Sequence, residues 1–371
     1  MHVLSRYSED LKKIEAKGKV DIAEQLVEAS RNSDRRPIGI MLDYLKLRRR
    51  GKLRLYEYFQ YELYDRSKWS EEERERFISA HIHWPLVNQC NDRSWWAVTE
   101  DKWLSTVVLK HCGIAIPENV AVFDRGTREY PGIAKLSDAR DVETLLKNCD
   151  VFPLFAKTMD GMWSAGAFRI LGCTETHALL DGHEAVTFEE LADGVLGEKS
   201  YLIQRCLQPH RFFEGVTDAT ATVRCLNLIR NDGLSVPFTL LKLPQAGNVA
   251  DNFWRGGNLV CDVDPESGEI RSIVAKDKGK FQRLDTLPDS DRKFLGEKLP
   301  DWEALLEMNA KVAMVHSKNR FGSTDIALTD NGPVIVEVNN GCAFELIQIA
   351  TGKGFLTDEI LAFFESCDAK F

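Results

Sequence analysis

The sequence predicts a helical region followed by an α/β part, two or three packed units in all, on three observations. The chain has 371 residues, more than one core holds at roughly 100–200 residues per domain. Its first 95 or so residues read as helical. From about Thr99 strand and helix patterns alternate, and near the end two strands are joined by a tight turn.

The elements follow in order. Glu9 to Arg31 is a charged, amphipathic stretch. IMLDYLKLRRRGKLRLYEYFQYELYD sets apolar and basic residues at helical spacing, with Gly51 as the break. Ser70 before Glu71, Glu72 and Glu73 is an N-cap with an acidic first turn. This region is one helical domain or a set of helices clasping the rest. TEDKWLSTVVLKHCGI predicts a helix stopping at Gly113, IPENVAVFD a strand entered through Pro117, and SDARDVETLLKN another helix. VFPLFAK, Val151 to Lys157, is a short, nearly continuous apolar strand. FRILG is the next strand, and Thr187 with Glu190 forms a capping box ahead of a short helix. SYLIQRCL, Ser200 to Leu207, TATVRCLNLIR and SVPFTLLKL read as strands, with a hairpin turn at Asn231–Gly233 between the last two. LPDWEALLEMNAKVAMVHSKN is a long helix entered through Pro300. TDIALT and PVIVEVN are strands joined at Asp330–Gly332, and TDEILAFFESC is a closing helix.

Several positions carry candidate chemistry. Glu337 and Asn339 are two apart and share one side of their strand. If that strand pairs with the one before it, Asp325 joins them. Magnesium takes octahedral oxygen ligands at about 2.1 Å, usually one or two carboxylates plus phosphates and water. The alternative is a hairpin with ordinary polar outer positions. Lys157 closes its strand and precedes Gly161, Ser164 and Gly166, whose small side chains would let backbone N–H groups approach phosphate oxygens. There is no Walker loop and no dinucleotide fingerprint, and an ordinary hairpin loop is the alternative. Arg224 lies within TATVRCL, and NFWRGGN brings Asn252 and Arg255 into a glycine-rich turn suited to an anion. Either could instead be a surface arginine or a structural turn.

Taken together and in order, these segments resemble the ATP-grasp superfamily: Asp101–Lys102 opening a helix, a strand ending in Lys157, the Gly/Ser loop, an apolar hinge strand, an arginine strand, N-x-x-R-G-G, then D…E-x-N. The resemblance runs from roughly Thr99 to Gln348. GEKLPDWEALL…STDIALTDNGPVIVEVNNG looks closest to the sugar-transfer-associated branch, which YEYFQYELYD also fits. It implies an ATP-grasp fold, two α+β subdomains clasping ATP, behind an N-terminal helical region. The expected divisions are residues 1–95 (helical region), 96–150 (linking α/β segment), 151–207 (lid subdomain) and 208–371 (C-terminal subdomain carrying the metal site).

The resemblance also implies roles. Lys102 and Lys157 would contact phosphates, under a mobile lid of Gly161, Ser164 and Gly166. Gln204, Arg205, Cys206 and Leu207 would meet the adenine through backbone groups. Asp325, Glu337 and Asn339 would hold Mg²⁺, with Mn²⁺ as an alternative. Arg224 and Arg255 would be catalytic, stabilising the transferred phosphoryl group and the oxyanion that follows. The implied reaction is ADP-forming ligation of a small carboxylate to an amine, thiol or other nucleophile through an acyl phosphate. A phosphotransferase acting on a sugar or cyclitol hydroxyl, or a non-catalytic nucleotide-binding regulator, would share the same site. Two departures stand out. Arg205 occupies the hinge position where many relatives have Glu, and Thr222 stands two residues before the strand arginine where many have Asp.

Composition narrows the remaining classes. A net charge of −9 opposes non-specific nucleic-acid binding, which needs a basic field. The hydrophobic fraction is 44%, and no apolar run approaches the ~20 residues that span a bilayer. The start lacks the apolar core of a signal peptide. Nine cysteines without a C-x-x-C pair suggest free thiols in a reducing, cytoplasmic setting. A homo-oligomer stays open. Lys46 to Arg54 reads as a solvated helix face, with a partner or membrane-surface contact as the alternative. His81 and His83 would form a metal pair only on a strand, and their flanks look helical. Trp84, Trp95, Trp96 and Trp103 read as packing between the helical region and the rest, with a platform for a sugar-like or peptide ligand as the alternative. Cys342 reads as a packing residue beside the site.

Overall fold

Two sheets organise the chain. The computed structural model describes residues 7–8, 10, 21–182, 185–245, 247–277, 280–288, 290 and 292–370. Residues 9 and 11–20 of the Glu9–Arg31 expectation therefore lie outside the described residues, and its described part ends in a helix, Ile22–Ser33.

The first sheet has seven strands: β1 (Asn119–Phe123), β2 (Ala134–Leu136), β3 (Leu154–Thr158), β4 (Phe168–Cys173), β5 (His177–Leu180), β6 (Val186–Thr187) and β7 (Tyr201–Arg205). They run in the order β2-β1-β7-β3-β4-β5-β6. Alternation along β3 sends Leu154 and Ala156 into an apolar cluster with Val142 and Leu146 of the helix Ala139–Lys147. Lys157, of opposite parity, faces the other way.

The second sheet holds β8 (Thr222–Arg230), β9 (Gly233–Ser235), β10 (Thr239–Leu243), β11 (Leu259–Val263), β12 (Ile270–Asp277), β13 (Lys280–Leu284), β14 (Phe321–Thr329) and β15 (Gly332–Asn339). Its order is β13-β12-β11-β10-β8-β14-β15, with β9 also on β8. All nine residues of β14 are buried, because both faces of this sheet are covered. Val223 and Cys225 pack toward Leu305 and Val312 of the helix Trp302–Val315. Leu226, Leu228 and Phe321 pack on the opposite face against Tyr58, Phe77, Phe344 and Phe363. The N-terminal helices thus share a core with the C-terminal ones. By parity Arg224 lies on that same face, beyond its apolar part.

Local expectations meet several corrections. SVPFTLLKL is not one strand. It divides into β9 and β10 around Pro237, which has no N–H for the ladder. TEDKWLSTVVLKHCGI also divides, into helices Trp96–Glu100 and Lys102–His111, because the Asp101 side chain caps the second by accepting from Leu104 N–H. β11, β12, β13 and the helix Phe344–Thr351 have no counterpart in the sequence reading. The capping boxes at Ser70–Glu73 and Thr187–Glu190 are present. His81 and His83 sit on helical turns, and His83 stacks edge-on against Trp84 and Phe344, so they form no strand-borne metal pair. Trp95 donates to His316 at 3.2 Å, a packing role. Among the described residues no helix is long and apolar enough to cross a membrane.

Candidate active site

Register across three strands builds the charged floor of a cleft. Asp325 on β14 stands opposite Arg224 on β8 and opposite Glu337 on β15. Asp325 is 2% exposed. Arg224 grips it with two bonds, Nε to Oδ1 and Nη2 to Oδ2, each 2.7 Å. Lys242 adds a third, Nζ to Oδ2 at 3.0 Å. Burial alone would raise the Asp325 carboxyl, but these two cations hold it far below the carboxylate range. Lys242 also contacts Asp251 at 3.0 Å, and Asp251 accepts the Thr222 hydroxyl. Asp251 therefore supplies a carboxylate beside Thr222, where many ATP-grasp chains have Asp.

A bulge between Asp325 and Ile326 on one side, and Glu337 and Ile335 on the other, leaves Val336 without a cross-strand partner. Its carbonyl accepts from Lys157 Nζ at 3.2 Å. Burial pushes the Lys157 ammonium down to about 8, the carboxylate of Glu337 opposing it. Lys102, first residue of its helix, reaches the Gly161 carbonyl at 2.7 Å and Glu337 Oε1 at 3.1 Å. Burial would raise Glu337, and Lys102, Lys157 and Lys242 together outweigh it, so the carboxyl stays below its ordinary range.

The Gly/Ser loop lies over this floor. A Cβ on Gly161 would meet Thr158 Oγ1 at 1.8 Å, and one on Gly166 (φ +77°) would meet the Tyr201 hydroxyl at 2.7 Å. Trp163 and Ser164 both have left-handed backbones, φ +60° and +54°, which cost energy outside glycine. The N-x-x-R-G-G turn holds them: Asn252 donates to the Trp163 carbonyl at 2.6 Å and Arg255 to that of Ser164 at 2.8 Å.

At the cleft's other end lie Gln204, Arg205, Cys206 and Leu207. The Gln204 side chain is turned to Asn119 at 2.7 Å. The N–H groups of Arg205 and Cys206 bond to the Glu118 and Pro153 carbonyls. Arg205 pairs with Glu118 at 3.0 Å. Lys102, Lys157, Gly161, Ser164, Asp325 and Glu337 line the same cleft, whereas Arg224, Gly166, Arg255 and Asn339 do not. Cys342 is buried, and burial pushes its thiol up to about 11, as expected of packing.

The oxygen donors fit a hard cation. The carboxylates of Asp325 and Glu337 and the Asn339 amide share one face of paired strands. Among the described residues no group of three or more His, Cys, Asp or Glu forms a self-sufficient cage. Such a site suits magnesium carried on phosphates. Lys242 and Asp251 escaped the sequence reading. The available signal was a lysine inside the fully buried strand β10, which needs a carboxylate partner.

The family model described as "Sugar-transfer associated ATP-grasp" matches residues 83–361. No curated protein is matched. Among solved structures, D-alanine–D-alanine ligase from Helicobacter pylori is 13% identical, with a TM-score of 0.40 over 74% of this chain and 62% of that one. L-amino acid ligase from Bacillus licheniformis is 11% identical, TM-score 0.39, over 74% and 49%. VanG D-Ala:D-Ser ligase from Enterococcus faecalis is 12% identical, TM-score 0.38, over 72% and 62%. The chain thus spans less than two thirds of each of these proteins.

Proposed function

The chain belongs to the sugar-transfer associated ATP-grasp family, and from that premise we propose that it is an ADP-forming ligase that activates a carboxylate as an acyl phosphate. Its fold is the α+β ATP-grasp arrangement. The observation that carries the reading is the meeting of Lys157 and Lys102 with Val336 and Glu337, where cations beside the first sheet face carboxylates of the second.

ATP lies between the sheets in this reading, its adenine along Gln204–Leu207. Lys157 and Lys102 exchange their protein acceptors for phosphate oxygens, and the Gly161–Gly166 loop covers them. Asp325, Glu337 and Asn339 would hold Mg²⁺, which supplies charge neutralisation on the phosphates. A substrate carboxylate oxygen attacks the γ-phosphorus, the bond to the β-phosphate oxygen breaks, and ADP leaves. The nucleophile then adds to the acyl carbon and inorganic phosphate departs. Arg224 and Arg255 do not line the cleft, so their assignment to the charge that develops on the transferred group requires them to turn into it. The four divisions expected above, with 151–207 as lid and 208–371 as metal-bearing part, belong to the same proposal.

The test is ADP and phosphate release from Mg·ATP with pooled carboxylates against pooled amines, followed by mass spectrometry. A new mass equal to acid plus amine minus water, dependent on both pools, is expected. A product heavier by one phosphoryl group, with no amide, overturns the ligase reading in favour of a kinase.

A further inference from the structure

Asp10 lies where the Gly/Ser loop meets Arg255. Its Oδ2 accepts the Gly166 N–H at 3.0 Å and Arg255 Nη2 at 2.8 Å. Both side chains are largely withdrawn from solvent, 13% exposed for Asp10 and 15% for Arg255. Tyr7, Ser8 and Asp10 have helical backbone, and a spacing of three places Tyr7 and Asp10 on one side of the turn. Tyr7 rests on the same loop: its ring edge is 3.4 Å from where a Cβ of Gly161 would be, and its Cβ 3.2 Å from that of Gly166. Lys199 Nζ stands 4.7 Å from the centre of the Tyr7 ring.

The loop gains from Asp10 an acceptor for its Gly166 N–H. Its carbonyls at Gly161, Trp163 and Ser164 are already held by Lys102, Asn252 and Arg255. A backbone N–H and a guanidinium converging on one oxygen is the chemistry of carboxylate recognition. Arg255 keeps further capacity, since among the described residues its buried Nε has no hydrogen-bond partner. A bound carboxylate with its second oxygen turned toward Nε would satisfy it.

We propose that Gly166 N–H and Arg255 form a carboxylate subsite, and that Asp10, anchored by Tyr7, fills it in cis as a block that the substrate's carboxylate displaces. The assignment of the displacing group rests on the ligase reading above, but occupancy by Asp10 does not. Asp10 competes because it is tethered: a weak contact within one chain holds against dilute substrate and yields to a concentrated one. The enzyme is then quiet until its carboxylate substrate is abundant.

Hydrogen exchange on the full chain tests both halves. In Asp10→Ala, amides of the 158–168 segment should exchange about tenfold faster than in the wild type, because their anchor is gone. Sodium succinate, against sodium chloride at equal ionic strength, should restore protection in Asp10→Ala and fail to do so in Asp10→Ala/Arg255→Ala. Unchanged exchange in Asp10→Ala overturns the block. Faster exchange that succinate does not slow overturns the carboxylate subsite. Binding of Mg·AMPPNP to the wild type, followed by calorimetry, is read separately. Its absence would sink the ATP reading and leave the exchange result standing.

Discussion

Asp325 and Glu337 are neighbours across two strands, yet their environments set them different tasks. Asp325 is buried against Arg224 and Lys242, so removing its charge strands two cations in the interior. Asp325→Asn should therefore lower stability by about 3–5 kcal/mol, the usual loss when one member of a buried ion pair is removed. Urea unfolding reads this directly, and a midpoint equal to wild type would show that the cluster is not structurally coupled. Glu337 is half-buried and, among the described residues, meets Lys102 alone at ion-pair distance. Glu337→Gln should leave the unfolding midpoint close to wild type and abolish turnover, because the neutral amide no longer balances the metal's charge. Full activity in that variant would remove Glu337 from the metal site. At this scale sequence reading was strong where chemistry is local. The E-x-N spacing put Glu337 and Asn339 on one face, since side chains alternate along a strand, and the tight turn before them let Asp325 join if the two strands pair. It could not see that Lys242 completes the Asp325 cluster, because the two lie far apart in the chain.

Elements are positioned by side chains that complete another element's backbone. Asn91 ends the helix His83–Cys90 and donates to the carbonyls of Phe321 and Asn340 at 2.8 and 2.9 Å. Its own carbonyl accepts the Phe321 N–H at 2.8 Å. One amide thus pins the start of β14 and the end of β15, the two strands that carry the charged floor. Asn91→Ala would orphan three buried backbone groups, and a loss of about 3 kcal/mol is expected at ~1 kcal/mol or more for each. Chemical denaturation checks it. A loss under about 0.5 kcal/mol would mean that water replaces the amide without cost. Element type was legible from periodicity for β3, β7, β14 and β15. β11 to β13 were not, because their partners, not their own pattern, make them strands. The helix start at Asp101–Lys102 came from the resemblance and not from the helical period, since a cap acts through one side-chain bond that a period does not reveal.

Across the whole molecule, one apolar cluster ties Ile40, Tyr58 and Phe77 to Leu226, Phe321 and Phe363. Unfolding of the N-terminal helices should therefore coincide with that of the second sheet. Two histidines pack against aromatic rings, His83 against Phe344 of this cluster and His316 against Trp95. Burial pushes both down from 6.5 to about 4. The folded chain holds them neutral, whereas the unfolded chain takes up protons below 6.5. Their contribution is complete above pH 6.5 and is lost as pH falls toward 4, on the order of 2–3 kcal/mol for each histidine. Urea midpoints at pH 7.5, 6 and 5 should fall in that order, and His316→Gln should flatten part of the slope. A profile level over this range would show that water reaches both rings.

The sequence by itself determined the alternation of helices and strands, the ATP-grasp order of signals that implies the α+β fold, and the residues that share a strand face, because alternation, capping and turn chemistry act over a few residues. Only the tertiary structure decided how the charges pair: Arg224 and Lys242 on Asp325, Lys102 on Glu337, Asp10 on Arg255. The physical reason is that a charge in a low-dielectric cleft takes whichever partner the fold brings within reach, and these partners are separated by 83 to 245 residues of chain.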